Sequence, residues 1–176
     1  MKTLPLVLVT LAMAIPMFAA DPTPQTAAPT ATKTATVEPV LAVTTAVVSA
    51  PFVLKDGAIS QPAQTEVAEG GKAIFTFTVP KDGDYVIHAI VNAPDEDSNS
   101  FFLNIDALPE DPLMICDLEV TQGFEERVVN WRGIGESGSG EFSPKVFKLT
   151  AGQHKLNVVG REPAQLKSVT IRAYAK

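Results

Sequence analysis

Residues 70–106, GGKAIFTFTVPKDGDYVIHAIVNAPDEDSNSFFLNID, leave this chain few folds to choose from. Ala73, Phe75, Phe77 and Val79 alternate with Ile74, Thr76 and Thr78, and a period of two sends one set to a buried face and the other outward. Pro80-Lys81-Asp82-Gly83-Asp84 ends that run, because proline cannot donate to a ladder and glycine takes positive φ at little cost. A second run places Tyr85, Ile87, Ala89 and Val91 on one face. A polar loop over residues 92–99 leads to a third run, residues 100–106, with Phe101, Leu103 and Ile105 on one face and Phe102, Asn104 and Asp106 on the other. Three such runs joined by polar turns predict an antiparallel sheet.

The rest of the chain extends this pattern. Short strands are expected at residues 44–49, 52–54, 113–120, 127–132, 145–149, 154–159 and 166–174, with turn residues between them. Leu156, Val158, Val169 and Ile171 join the expected core, and no stretch shows a helical period with caps. The prediction is an all-β, antiparallel β-sandwich over residues 36–176.

Two other segments precede it. Residues 1–20 carry Lys2 and then an apolar run too short to span a bilayer, the pattern of a secretory signal peptide cut near Ala19 or Ala20. Residues 21–35, DPTPQTAAPTATKTA, hold too little apolar area to build a core and are expected to be a linker or a glycosylated stalk. The mature chain is thus expected in the periplasm, the cell envelope or the medium, with no membrane span after cleavage.

Charge narrows the partners. A formal net charge of −6 argues against nucleic acid and anionic membrane surfaces and is compatible with neutral partners such as sugars. The single cysteine, Cys116, excludes an internal disulfide and is expected as a small buried hydrophobe, with a reactive or intermolecular thiol as the alternative. His88 and His154 lie in no metal-ligand spacing and have no evident Ser or Cys partner for a hydrolytic triad. Gly133 to Gly138 match G-x-G-x-x-G, but the residues after them open no helix, so a flexible loop is expected there. Acidic clusters at Asp95-Glu96-Asp97, Glu110-Asp111 and Asp117/Glu119 lack the order of an EF-hand and read as solvated loop charge. No catalytic constellation emerges.

Two aromatic residues stand out. Trp131, the only tryptophan, ends an expected strand, and its flat face would suit the C–H face of a sugar ring; the competing reading is a core residue. Phe102 shares its face with Asn104 and Asp106 and is a second platform, unless a loop covers it.

Four segments together resemble the carbohydrate-binding modules of families 6 and 35: AIFTFTVPKDGDYVIHA (residues 73–89), SNSFFLNID (98–106), VFKLTAGQHKLNV (146–158) and GREPAQLKSVTI (160–171). The resemblance implies a galactose-binding-domain-like β-jelly roll that binds a glycan or polysaccharide without catalysis. The family's ligand loops are its most variable part, so the site is read from this chain's own residues: an aromatic platform at Trp131, with Phe102 second, and Arg132, Asn99, Asn104, Asp106, Arg161 and Glu162 as hydroxyl partners. Arg161 and Glu162 have the alternative of an internal ion pair. A structural Ca²⁺ is possible in such a fold, but Lys167 replaces the aspartate usual in the last motif, Glu38 is a loose counterpart of the acidic first strand, and no cofactor is expected. Cys116 stands where many relatives carry an aromatic. The alternative function is a structural or adhesive cell-envelope domain that uses the scaffold for contacts with an envelope protein or a secreted enzyme.

Overall fold

The computed structural model describes residues 38, 40–132 and 142–175. The signal-peptide and linker segments and the G-x-G-x-x-G stretch lie outside the described residues. Among the described residues twelve strands run in chain order as β1 (Val40–Ala42), β2 (Val47–Ser49), β3 (Val53–Lys55), β4 (Ala58–Ser60), β5 (Lys72–Val79), β6 (Gly83–Asn92), β7 (Ser100–Ile105), β8 (Ile115–Asp117), β9 (Glu125–Val128), β10 (Phe147–Leu149), β11 (Gly152–Gly160) and β12 (Gln165–Ala173).

They form two antiparallel sheets. The first runs β10-β6-β12-β4-β3, with β1 also on β12 and β9 also on β6; the second runs β2-β5-β11-β7-β8. The long strands are the ones whose alternation the sequence displays. In the first sheet Ile171 faces Ile87 and Val169 faces Ala89. In the second, Leu156 lies between Phe75 and Ile105, and Val158 between Ala73 and Leu103. These inward residues make one core between the sheets, and every expected core residue from Phe75 to Ile171 is buried in it. The packing leaves an apolar void of about 20 Å³, on the order of one water.

Boundaries differ where local contacts override pattern. Val43–Thr45 forms a 3-10 turn ahead of β2 rather than the start of a strand. The 113–120 run pairs only over Ile115–Asp117, because a turn closed by Met114 N and Glu110 O occupies its start. The three-residue strands β1 and β4 show no periodicity and form because β12 offers its free edge to both. Asp56 and Gly57 both adopt positive φ, 52° and 76°, which gives the two-residue turn between β3 and β4 the twist that a hairpin needs.

The most consequential difference concerns residues 127–132. The strand β9 stops at Val128, and the chain then crosses from one sheet to the other along an open side of the sandwich. Val129 N still bonds Ile87 O of β6, whereas Arg132 N bonds Ile115 O of β8. Trp131 therefore sits in a crossover and not in a strand.

Candidate functional site

The crossover builds the site from the backbone outward. Asn130 is 1% exposed. Its side chain accepts from Asp117 N and donates to Asp117 O, replacing the backbone partner that edge strand β8 lacks there. With that residue pinned, its two neighbours are placed. Trp131 is half-buried: its indole N–H donates to Leu103 O at 3.0 Å, and its ring meets Phe147 edge-on at 5.7 Å and 88°. Lys145, held by a bond from its N to Val129 O, lays its ammonium 3.8 Å from the centre of the indole ring. Burial pushes the Lys145 ammonium below its ordinary pKa, while the ring quadrupole attracts it. The ring that sequence reading offers as a bare platform thus has its edge in the core and a cation over a face.

Arg132 turns to the outside of the second sheet. Its guanidinium grips Asp117 with Nε–Oδ2 at 2.6 Å and Nη2–Oδ1 at 2.5 Å, the bidentate geometry that arginine alone provides. Asp117 is 6% exposed, so its carboxylate is matched by this pair. Ser100 is the register partner of Asp117, and its hydroxyl accepts from Arg161 Nη1. Arg161 also pairs with Glu162, whose other oxygen accepts from Asn99 N; the Asn99 amide donates to Leu118 O. Arg132, Asn99, Arg161 and Glu162 are therefore gathered along β7 and β8, and Arg161 with Glu162 forms the internal ion pair that sequence reading held as its alternative.

Phe102 is corrected on physical grounds as a platform. It is 1% exposed, sealed by its cross-strand neighbours Ile115 and Val159 and by Val67 from the loop before β5. A ring with no accessible face stacks on nothing.

Asn104 and Asp106 lie at the far end of β7. Asn104 donates weakly to Leu108 O at 3.5 Å and accepts from Ile105 N. Asp106 adopts φ 61°, and its carboxylate accepts from Lys155 N and meets His154 Nδ1. Both side chains are committed to ending the β7–β11 pairing.

Sequence reading missed Lys145, Asp117 and Asn130. Asp117 was visible only as part of an acidic cluster, and nothing near Lys145 signals that it folds back on Trp131. Cys116 is buried in the core, and burial pushes its thiol up to about 12, so it is no nucleophile at neutral pH. Among the described residues no group of three or more His, Cys, Asp or Glu is placed to hold a metal ion.

No protein-family model matches the chain. No curated protein sequence matches it either. Solved structures do. A family 35 carbohydrate-binding module from Clostridium thermocellum superposes with a TM-score of 0.56 at 8% identity, over 79% of this chain and 100% of that one. A family 6 module of Cellvibrio mixtus lichenase 5A, in complex with cellotriose, gives 0.50 at 12% identity, over 80% and 100%. A Podospora anserina β-(1,4)-mannanase, GH26 joined to family 35, gives 0.50 at 13% identity over 78% of this chain, which spans only 28% of that enzyme. The fold of this chain is therefore that of the family 6/35-type carbohydrate-binding modules, an antiparallel β-jelly roll.

Proposed function

We propose that this domain is a secreted, non-catalytic module that binds a glycan or polysaccharide at the crossover side of the sandwich. The observation that carries the reading is the fold itself, shared over essentially the whole length of two solved carbohydrate-binding modules, one of them holding cellotriose. In this reading Trp131, half-buried at the crossover with Lys145 over one face of its ring, would supply the aromatic surface, and Lys145 and the Asp117-bound Arg132 the polar groups. Aromatic surface supplies affinity and polar neighbours supply orientation in sites of this kind. Phe102, sealed from solvent, is left out, and Asn99, Asn104, Asp106, Arg161 and Glu162 act as the frame rather than as hydroxyl partners. Export would follow removal of residues 1–20, leaving residues 21–35 as an extended segment ahead of the domain.

A glycan array probed with the purified chain tests the reading. Binding to one or more sugars is expected. A flat array would overturn it and favour the structural or adhesive alternative, which has one observation of its own. Val40, Val47, Val53 and Leu54, on or beside the free edges of β1, β2 and β3, are between 47% and 72% exposed, an apolar fringe suited to protein contact.

A further inference from the structure

The run from Val40 to Leu54, VLAVTTAVVSAPFVL, contains no charged residue, in a chain of which 19% is charged. In the fold this run supplies β1, β2 and β3 and makes up one margin of the sandwich. There β2 ends the second sheet, β3 ends the first, and β1 shares an edge of β12 with β4. Val40, Val47, Val53 and Leu54 are exposed along it. A free edge is a template for another strand, so edges are commonly guarded by a lysine, a proline or an inward charge. Here Pro51 lies between β2 and β3 and in neither, and the first charge is Lys55, at the end of β3.

The geometry of β3 fixes which of its groups are open. It pairs with β4 through the two-residue turn Asp56-Gly57. Lys55 and Ala58 flank that turn and form the pair that exchanges hydrogen bonds, and bonded and unbonded pairs alternate along an antiparallel ladder. Leu54, opposite Ile59, therefore stands at an unbonded position, and its N–H and C=O point to the free edge. Its side chain shares the inward phase of the fully buried Ile59, yet is half exposed. One residue thus offers a donor, an acceptor and apolar surface. An identical edge turned by a two-fold axis supplies the same three in reverse. Charge favours the same occupant. Two copies, each with a formal net charge of −6, repel where charged faces meet, and this margin has no charge to repel. A partner selected by opposite charge would find nothing here to read.

We propose that this margin is the interface of a homodimer, in which the β3 strands of two copies pair antiparallel about a two-fold axis through Leu54. The Leu54 N–H of each copy donates to the Leu54 carbonyl of the other, the two leucine side chains pack together, and Val53 of each copy faces Lys55 of the other on the outer surface. The first sheet then runs through both copies. Strands β10 and β8, beside the crossover, end their sheets opposite to β3 and β2, so the pairing leaves the crossover side of each copy open. The dimer does not depend on what that side binds.

Sedimentation velocity of the purified chain over a micromolar concentration series, with no sugar present, tests the proposal. A dimer is expected that does not weaken as salt rises, because salt screens the repulsion between copies and leaves apolar contact intact. Leu54→Asp sets like charges against each other on the axis and should weaken dimerisation about tenfold or more. Val53→Lys sets a lysine against Lys55 of the other copy at an exposed position, and keeps the test valid if Leu54→Asp melts early. The double variant Val53→Cys with Lys55→Cys should form a covalent dimer on oxidation. Unbonded cross-strand pairs lie about 4.5 Å apart between Cα atoms, within disulfide reach, and Cys116 is buried. A monomer at every concentration, or a dimer that Leu54→Asp and Val53→Lys leave unchanged, overturns the interface. A dimer that both weaken but the paired cysteines never cross-link overturns the pairing about Leu54.

Discussion

His154 and Asp106 meet at 2.6 Å, Nδ1 to Oδ2, and the other imidazole nitrogen lies 2.8 Å from Thr150 O. Both ring nitrogens therefore face acceptors, which only the doubly protonated imidazolium satisfies. The ring is itself core-facing: it is 8% exposed and stacks at 5.7 Å on Phe77, its register partner. A charged histidine is thus built into the rim of the core.

Stability should peak in mildly acidic solution. The hydrogen bond to Asp106, then that to Thr150 O, raise the His154 pKa above 6.5. This contribution is complete below about 6.5 and fades as pH rises through the folded value. Burial pushes Asp106 up, but the bonds from His154 and Lys155 N outweigh it and hold the carboxyl below 3.8. Its contribution is present above about 3.8 and fades as pH falls through the folded value. Melting temperature followed across pH should decline on the alkaline side for the parent, and His154→Gln should flatten that decline. An identical slope in both proteins would show that the pair is not what titrates.

Trp131→Ala should lower both stability and glycan binding. The indole packs on Phe147 and satisfies Leu103 O, so truncation removes half-buried surface and orphans an edge carbonyl. A loss of about 2–3 kcal/mol is expected, at or below the range for full burial. A variant that melts lower yet binds sugar as tightly as the parent would remove Trp131 from the site.

Phe77→Ala should cost about 3–5 kcal/mol, because its ring is 4% exposed and borders both the core and His154. Chemical denaturation measures it, and a loss below about 1 kcal/mol would mean that the surroundings collapse into the space.

Gly160→Ala should destabilise by about 1–3 kcal/mol. The added methyl would be driven into the Gln61 amide oxygen. Gln61 cannot step aside cheaply: its amide bonds Ala63 O, Thr65 Oγ1, Arg161 O and Gly71 N. Pairing the change with Gln61→Ala should recover part of the loss, and failure to recover any would show that the clash lies elsewhere.

Calcium should not shift the melting temperature. The resemblance to family 6 and 35 modules puts Lys167 where their usual aspartate stands, and its ammonium lies 5.5 Å from the Phe124 ring. Melting in EDTA and in excess Ca²⁺ should coincide; a rise of several degrees with Ca²⁺ would mean that other oxygens suffice.

The alternation in β5, β6, β7, β11 and β12 made the sandwich legible from the chain alone. A period of two assigns each side chain to a face whatever its neighbours are, and long strands repeat the signal often enough to be read. Phe75, Ile87, Leu103 and Val158 were placed in the core by that arithmetic. The candidate site was not legible in the same way, because each of its parts depends on a contact across the fold. Phe102 sits on the outward phase and is buried only because Val67 and Ile115 come to cover it. Trp131 leaves its expected strand because Arg132 N finds Ile115 O in the other sheet. Asn130 becomes a surrogate backbone for Asp117, and Lys145 settles on the indole, through pairings that no local spacing encodes. Local periodicity chooses the face of a residue, while the tertiary structure decides whether that face meets solvent, another sheet or a cation.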